Sequence, residues 1–142
     1  MPNFLRLNIF CDGGARGNPG PAAVGVVVQN ATGEIIAKLG QVIGETTNNV
    51  AEYRAVIAAF KLLRKQNLTA QQLNFYLDSQ VVQKQLAGLY KIKAAHLREL
   101  LQQVRIAERE FAGKIIYSQI PRKKNFQADQ LVNIALDKQQ LA

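Results

Sequence analysis

A chain of 142 residues, 48% hydrophobic and 20% charged, has the length and composition of one globular domain, residues 1–142, with a single core. Its 18 Lys+Arg against 10 Asp+Glu give a net charge of +8 and a pI near 9.9, which favours an anionic partner, nucleic acid foremost, although a basic surface also serves solubility. The longest apolar run, residues 22–28, is too short to span a bilayer. No basic segment followed by an apolar stretch opens the chain, and the lone Cys11 excludes an internal disulfide framework, so a cytoplasmic setting without membrane association is expected.

In chain order, residues 4–11 alternate, with Leu5, Leu7, Ile9 and Cys11 on one face and Phe4 and Phe10 on the other, which predicts a strand. A Gly/Pro-rich loop follows over residues 13–21. Residues 22–28 read as a second strand, which turns at Asn30 to Gly33 into a third over 34–42. The period then changes. Ala55, Ala58, Ala59, Leu62 and Leu63 recur at helical spacing and predict a helix over 49–66. A short strand over 73–77, helices over 79–89 and 93–111, a strand over 114–120 and a closing helix over 126–138 complete the chain. Three meandering strands followed by strand–helix alternation define an α/β fold with a mixed sheet.

Four of the ten acids stand at positions of interest. Asp12 ends the first strand, and Glu52 lies in the first turn of the long helix on its core-facing stripe. Asp78 follows the apolar strand 73–77, and Asp129 sits early in the last helix in line with Val132 and Leu136. Taken singly, each has an ordinary use as a turn, cap or helix-dipole residue. Taken together, they occupy strand ends and helix starts, where α/β sheets build sites. Clustered carboxylates repel unless protons or cations compensate them, and all-oxygen donors select hard ions such as Mg²⁺ or Mn²⁺ over zinc.

The segments 12–20 (DGGARGNPG), 47–52 (TNNVAE), 77–80 (LDSQ) and 125–129 (NFQAD) resemble, in order, the motifs of type 1 ribonuclease H. The resemblance implies a ribonuclease H-like fold, a five-stranded mixed sheet whose first three strands are antiparallel, flanked by helices. It implies an endonuclease that hydrolyses the RNA strand of RNA/DNA hybrids and leaves 5′-phosphate and 3′-hydroxyl ends. Asp12, Glu52, Asp78 and Asp129 would hold two divalent cations, Mg²⁺ or Mn²⁺, with Asp12 bridging both. Asp129 would serve the ion that activates water, and Glu52 with Asp78 the ion near the leaving oxygen. Gly17, Asn18, Thr47, Asn48, Asn49, Gln80 and Asn125 match substrate-binding positions; amides that both donate and accept suit 2′-hydroxyls and groove edges.

The chain departs from well-known members of that family in carrying no histidine in the loop before the last helix, where Arg122 is the expected stand-in. It also lacks a basic protrusion between the middle helices, where only Lys91 and Lys93 are supplied. The only histidine, His96, is expected at the surface or in helix packing. The alternatives are another nuclease of the same superfamily, a catalytically silent nucleic-acid-binding module, or a nucleotide-binding protein using the glycine loop. Intact acids at all four positions oppose the silent module, and the missing Gly-Lys-Ser/Thr opposes the last. The chain is expected to act as a monomer.

Overall fold

A computed structural model describes residues 3–141. Its elements are β1 (Phe4–Ala15), β2 (Gly20–Gln29), β3 (Ile35–Thr46), α1 (Asn48–Lys65), β4 (Ala70–Leu77), α2 (Gln80–Leu86), α3 (Ala95–Glu110), β5 (Lys114–Gln119), a 3₁₀ turn (Arg122–Asn125) and α4 (Phe126–Leu141). The strands form one sheet in the order β3-β2-β1-β4-β5. β1–β2 and β2–β3 are antiparallel, whereas β1–β4 and β4–β5 are parallel. The α/β class and the five-stranded mixed sheet are as the sequence indicates.

Helices cover both faces. Leu7, Ile9 and Cys11 of β1, Val24, Val26 and Val28 of β2, and Leu73, Phe75 and Leu77 of β4 pack with Tyr53, Val56 and Phe60 of α1 into the main core. Ala23 packs with Val132 and Leu136 of α4 on the opposite face. β2 is therefore apolar in both directions, which is why residues 22–28 read as a continuous run without alternation. Leu5 departs from its expected place: it is 70% exposed, near the open end of β1. No helix among the described residues is long and apolar enough to cross a membrane.

The expected 13–21 loop is mostly strand. Gly13, Gly14 and Ala15 pair with Val24, Ala23 and Ala22, and only residues 16–19 connect the two strands. The glycines here serve helix approach. A Cβ on Gly13 would lie 2.2 Å from the Ala51 backbone of α1. A Cβ on Gly25, the register partner of Asp12, would lie 2.2 Å from the Ala128 carbonyl oxygen of α4. The first turns of both helices thus rest directly on the sheet backbone. Other boundaries differ for local reasons. α2 stops at Leu86 because the chain turns at Gly88, with φ of 81°. β3 runs on to Thr46 through an irregularity opposite Ala22 and Ala23. The segment before the last helix is an ordered 3₁₀ turn rather than a loose loop.

Gly25→Ala should destabilise the protein by about 2–3 kcal/mol, because the colliding atom is backbone that cannot rotate away. Gly14→Ala, whose Cβ would meet only Val132 Cγ1 at 3.6 Å, should cost less than about 1 kcal/mol. Urea unfolding of both variants checks the difference, and equal losses would contradict the close seating of α4.

Candidate active site

Parallel pairing of β1 with β4 ends at Phe10↔Tyr76. Beyond it the strands are no longer bridged, and Asp12 and Asp78 stand at the opening. Sites form in such crevices because the strand ends and adjoining helix starts leave room and unpaired backbone groups. α1 brings Glu52 to the same place. One carboxylate oxygen from each of Asp12, Glu52 and Asp78 lies within 4.8 Å of the others. A cleft of about 440 Å³ joins these acids to Asp129, Asn48, Asn49, Arg16, Ser79, Arg122 and Asn133.

Local structure removes several ordinary explanations for the acids. Ser79, not Asp78, caps α2, its hydroxyl accepting from Val82 N at 3.3 Å. Thr47 caps α1 by accepting from Val50 N at 3.3 Å, and no acid lies in the first turn of that helix. Glu52 is therefore no dipole residue; it is 6% exposed, and its Oε2 has no hydrogen-bond partner. Asp129 does lie in the first turn of α4, where negative charge is favoured.

The electrostatics follow from burial and crowding. Burial first, then the charges of Asp78 and Asp129 and a hydrogen bond with Asp129, push the Asp12 carboxyl up to about 8; the Arg122 guanidinium opposes this. Burial, followed by the charges of Asp12 and Asp78, likewise raises Glu52 well above the ordinary carboxylate range, again against Arg122. The Cys11 thiol, behind the cluster, is raised by burial and then by Glu52 and Asp12, so it is an inert core group. A buried oxygen without a donor, in a cluster where burial and then neighbouring charge raise Asp12 and Glu52, fits a divalent cation of the hard, oxygen-seeking type.

The expected substrate residues divide. Asn48 and Asn49 line the cleft. Asn48 also ties the β1–β2 connection to α1: its Oδ1 accepts from Ala15 N at 2.9 Å, and its own N donates to Asn18 Oδ1 at 2.9 Å. Gly17 turns the connection with φ of 101°, and Gln80 is exposed at the first position of α2; these two, with Asn18 and Thr47, lie outside the lining of the cleft. Asn125 is not among the residues that line the cleft. It is 1% exposed, and its Nδ2 donates to Cys11 O at 2.8 Å and to Asp78 Oδ2 at 3.1 Å. Its Nδ2 ties Asp78 to β1, while its Oδ1 is buried without a hydrogen-bond partner. His96 is exposed, away from the cleft. Arg16, Ser79 and Asn133 line the cleft without having been singled out. Of these, Asn133 was readable as the i+4 neighbour of Asp129 on a helix.

Residues 10–135 match a family model described as reverse transcriptase-like. Ribonuclease HI of Halobacterium salinarum is 41% identical over 132 residues, which are 93% of this chain and 65% of that protein. The bifunctional protein Rv2228c of Mycobacterium tuberculosis is 40% identical over 134 residues, which are 94% of this chain but only 36% of that protein's length. The solved N-terminal RNase H domain of that protein superposes with a TM-score of 0.87 at 39% identity, covering 97% of this chain and 99% of that one. LC11-RNase H1, solved in complex with RNA/DNA hybrid, gives a TM-score of 0.90 at 40% identity, covering 94% and 99%. Fold and site together define a ribonuclease H-like domain. The chain belongs to the type 1 ribonuclease H family.

The raised carboxyls make a pH prediction whose sign is opposite to that of most acids. In the unfolded chain Asp12 ionises near 3.8, whereas in the folded protein without cations it keeps its proton to about 8. The folded state binds more protons within that window, so stability should fall as pH rises from about 4 to about 8. Melting temperatures in chelator should show this slope, shared across the interacting cluster. Mg²⁺ should restore the melting temperature at pH 8 but not at pH 4, and Asp12→Asn should flatten the profile. A chelated wild type that gains stability towards pH 8 would refute the crowding.

Proposed function

We propose that the chain is an endonuclease that hydrolyses the RNA strand of RNA/DNA hybrids, with Asp12, Glu52, Asp78 and Asp129 holding two divalent cations, Mg²⁺ or Mn²⁺. The observation that carries this reading is the meeting of Asp12, Glu52 and Asp78 from three separate elements within 4.8 Å, with one buried Glu52 oxygen lacking a donor. When bound, the cations supply the charge that stabilises the attacking and leaving oxygens of an in-line displacement at phosphorus.

The chain's residues would divide the remaining work. Asp12, at the centre of the cluster, would help hold both cations. Glu52 and Asp78 would hold the cation that serves the leaving 3′-oxygen and Asp129 would help hold the one that serves the attacking water, so that the products would carry 5′-phosphate and 3′-hydroxyl ends. Asn125 holds Asp78 in its rotamer by a hydrogen bond. Asn48 and Asn49, in the cleft, present amides that read 2′-hydroxyls and groove edges of the RNA strand, and Asn18, Gly17 and Gln80 add contacts beyond the cleft lining. Thr47 combines helix capping with a contact to a phosphate of the DNA strand. Arg122 lowers the carboxyls' proton affinity. It approaches the scissile phosphate as a fixed charge and hydrogen-bond donor, since a guanidinium exchanges no proton near neutral pH. The RNA/DNA hybrid bound in the LC11-RNase H1 structure supports this substrate.

Cleavage of hybrid, double-stranded RNA and DNA duplex in Mg²⁺ or Mn²⁺ tests the reading. Hybrid should be cut at the RNA strand and DNA duplex left intact. Removing 2′-hydroxyls around the scissile bond should abolish cutting. Asp78→Asn should reduce kcat by at least about a hundredfold while the fold survives, since one charge that the cations need is gone. Unchanged turnover in that variant would remove Asp78 from the assignment.

Arg122 and Lys123 should separate kinetically. Arg122→Ala should lower kcat on the order of tenfold with cation affinity nearly unchanged. Lys123→Ala should instead raise KM and flatten its salt dependence. Identical, salt-sensitive KM effects in both variants would reduce Arg122 to one more phosphate contact.

A further inference from the structure

Arg16 opens the short connection between β1 and β2, and its backbone N donates to Pro21 O at 2.8 Å, which closes that connection. Its side chain does not follow the loop but crosses to α4. Nη2 lies 2.7 Å from Asp137 Oδ1 and donates to Asn133 Oδ1 at 3.2 Å, while Nη1 donates to Gln140 Oε1 at 3.2 Å. Asn133 Nδ2 in turn donates to Asp129, to its Oδ2 at 3.3 Å and its carbonyl at 3.1 Å. Arg16 and Asn133 both line the cleft that holds the acids.

We infer that Arg16 and Asn133 are a positioning pair for Asp129, so that the β1–β2 connection sets the orientation of the carboxylate delivered by α4. The chemistry of the two groups dictates the direction. A guanidinium has donors only, so Asn133 must present its carbonyl oxygen to Arg16, and its amino group is left facing Asp129. One Asp129 oxygen is thereby engaged on the helix side, which leaves the other to face the cleft that Asp12 also lines. Asp129 is half-exposed, unlike Asp12 and Glu52, so packing alone does not hold its rotamer. The inference rests on the proposed role of Asp129 in holding cations. It goes further by making a residue of the glycine-rich connection, on another element, responsible for that geometry.

The sign of the expected effect separates this role from simple electrostatics. Removing a positive charge beside a cation site strengthens cation binding by Coulomb's law, whereas losing an orienting partner weakens it. Mn²⁺ titration calorimetry on the full chain, without nucleic acid, is the primary readout. Arg16→Ala and Asn133→Ala should each raise the Mn²⁺ dissociation constant about tenfold, and the double variant should be no worse than either single one. On hybrid, kcat should fall comparably while KM moves less than about twofold. Arg16→Lys, which keeps the charge and one donor, should recover part of the affinity. Melting temperatures establish that each variant is folded. Unchanged or tighter Mn²⁺ binding in Arg16→Ala would overturn the inference, as would a salt-dependent rise in KM alone, which would make Arg16 a phosphate contact. A wild type that binds Mn²⁺ but leaves hybrid uncut would instead overturn the proposed function.

Discussion

The seating of α1 on Gly13 from one face of the sheet, and of α4 on Gly25 from the other, is the contact on which the rest of the molecule depends. Asp12 stands between these two points, adjacent to Gly13 along β1 and opposite Gly25 across the ladder. A methyl group at either glycine would collide with helix backbone, and close-packed interiors transmit such a shift undamped. Glu52 follows Ala51, the residue resting on Gly13, and Asp129 follows Ala128, the residue resting on Gly25. Each close approach therefore delivers the next side chain in the sequence to Asp12.

This arrangement is costly on its own. Carboxyls that would ionise in water are held close together at low exposure, and their mutual repulsion works against folding. The apolar layer behind them offsets the cost: Cys11, Tyr53, Val56 and Leu77 are fully buried beneath the cluster. The whole-chain charge of +8 and the local negative cluster then act at different ranges. The first draws a polyanion from a distance. The second repels a phosphate at contact until cations are in place, so cation and substrate binding reinforce one another in the proposed reaction.

Much of this was legible in the sequence where the physics is local. Period-two alternation in β1 and the helical recurrence of Ala55, Ala59 and Leu62 placed those elements, and four acids at strand ends and helix starts marked the site. What stayed hidden was set by partners distant in the chain. The glycines at 13 and 14 carry a loop-like composition, and only the pairing with residues 22–24 makes them strand. Asn125 has the composition of a surface contact, yet its partners, Cys11 and Asp78, lie 114 and 47 residues away. Asp78 looked like a helix cap because nothing local indicates that Ser79 takes that part. Arg16 gave no signal, since its ion pair with Asp137 links the two ends of the chain.

The Asn125 amide has one more consequence. It joins the end of β1, the end of β4 and the entrance to α4, segments that meet only when nearly all of the chain has been brought together. Contacts of such long sequence separation form late, because loop closure must come before any gain from them. The sheet and α1 by themselves bring Asp12, Glu52 and Asp78 together, and only Asp129 waits for α4. Docking of the C-terminal helix then adds the fourth acid to the three already assembled. By the same logic, a brief opening of that helix alone would withdraw Asp129 from the centre and leave the other three acids in place on the standing sheet and α1.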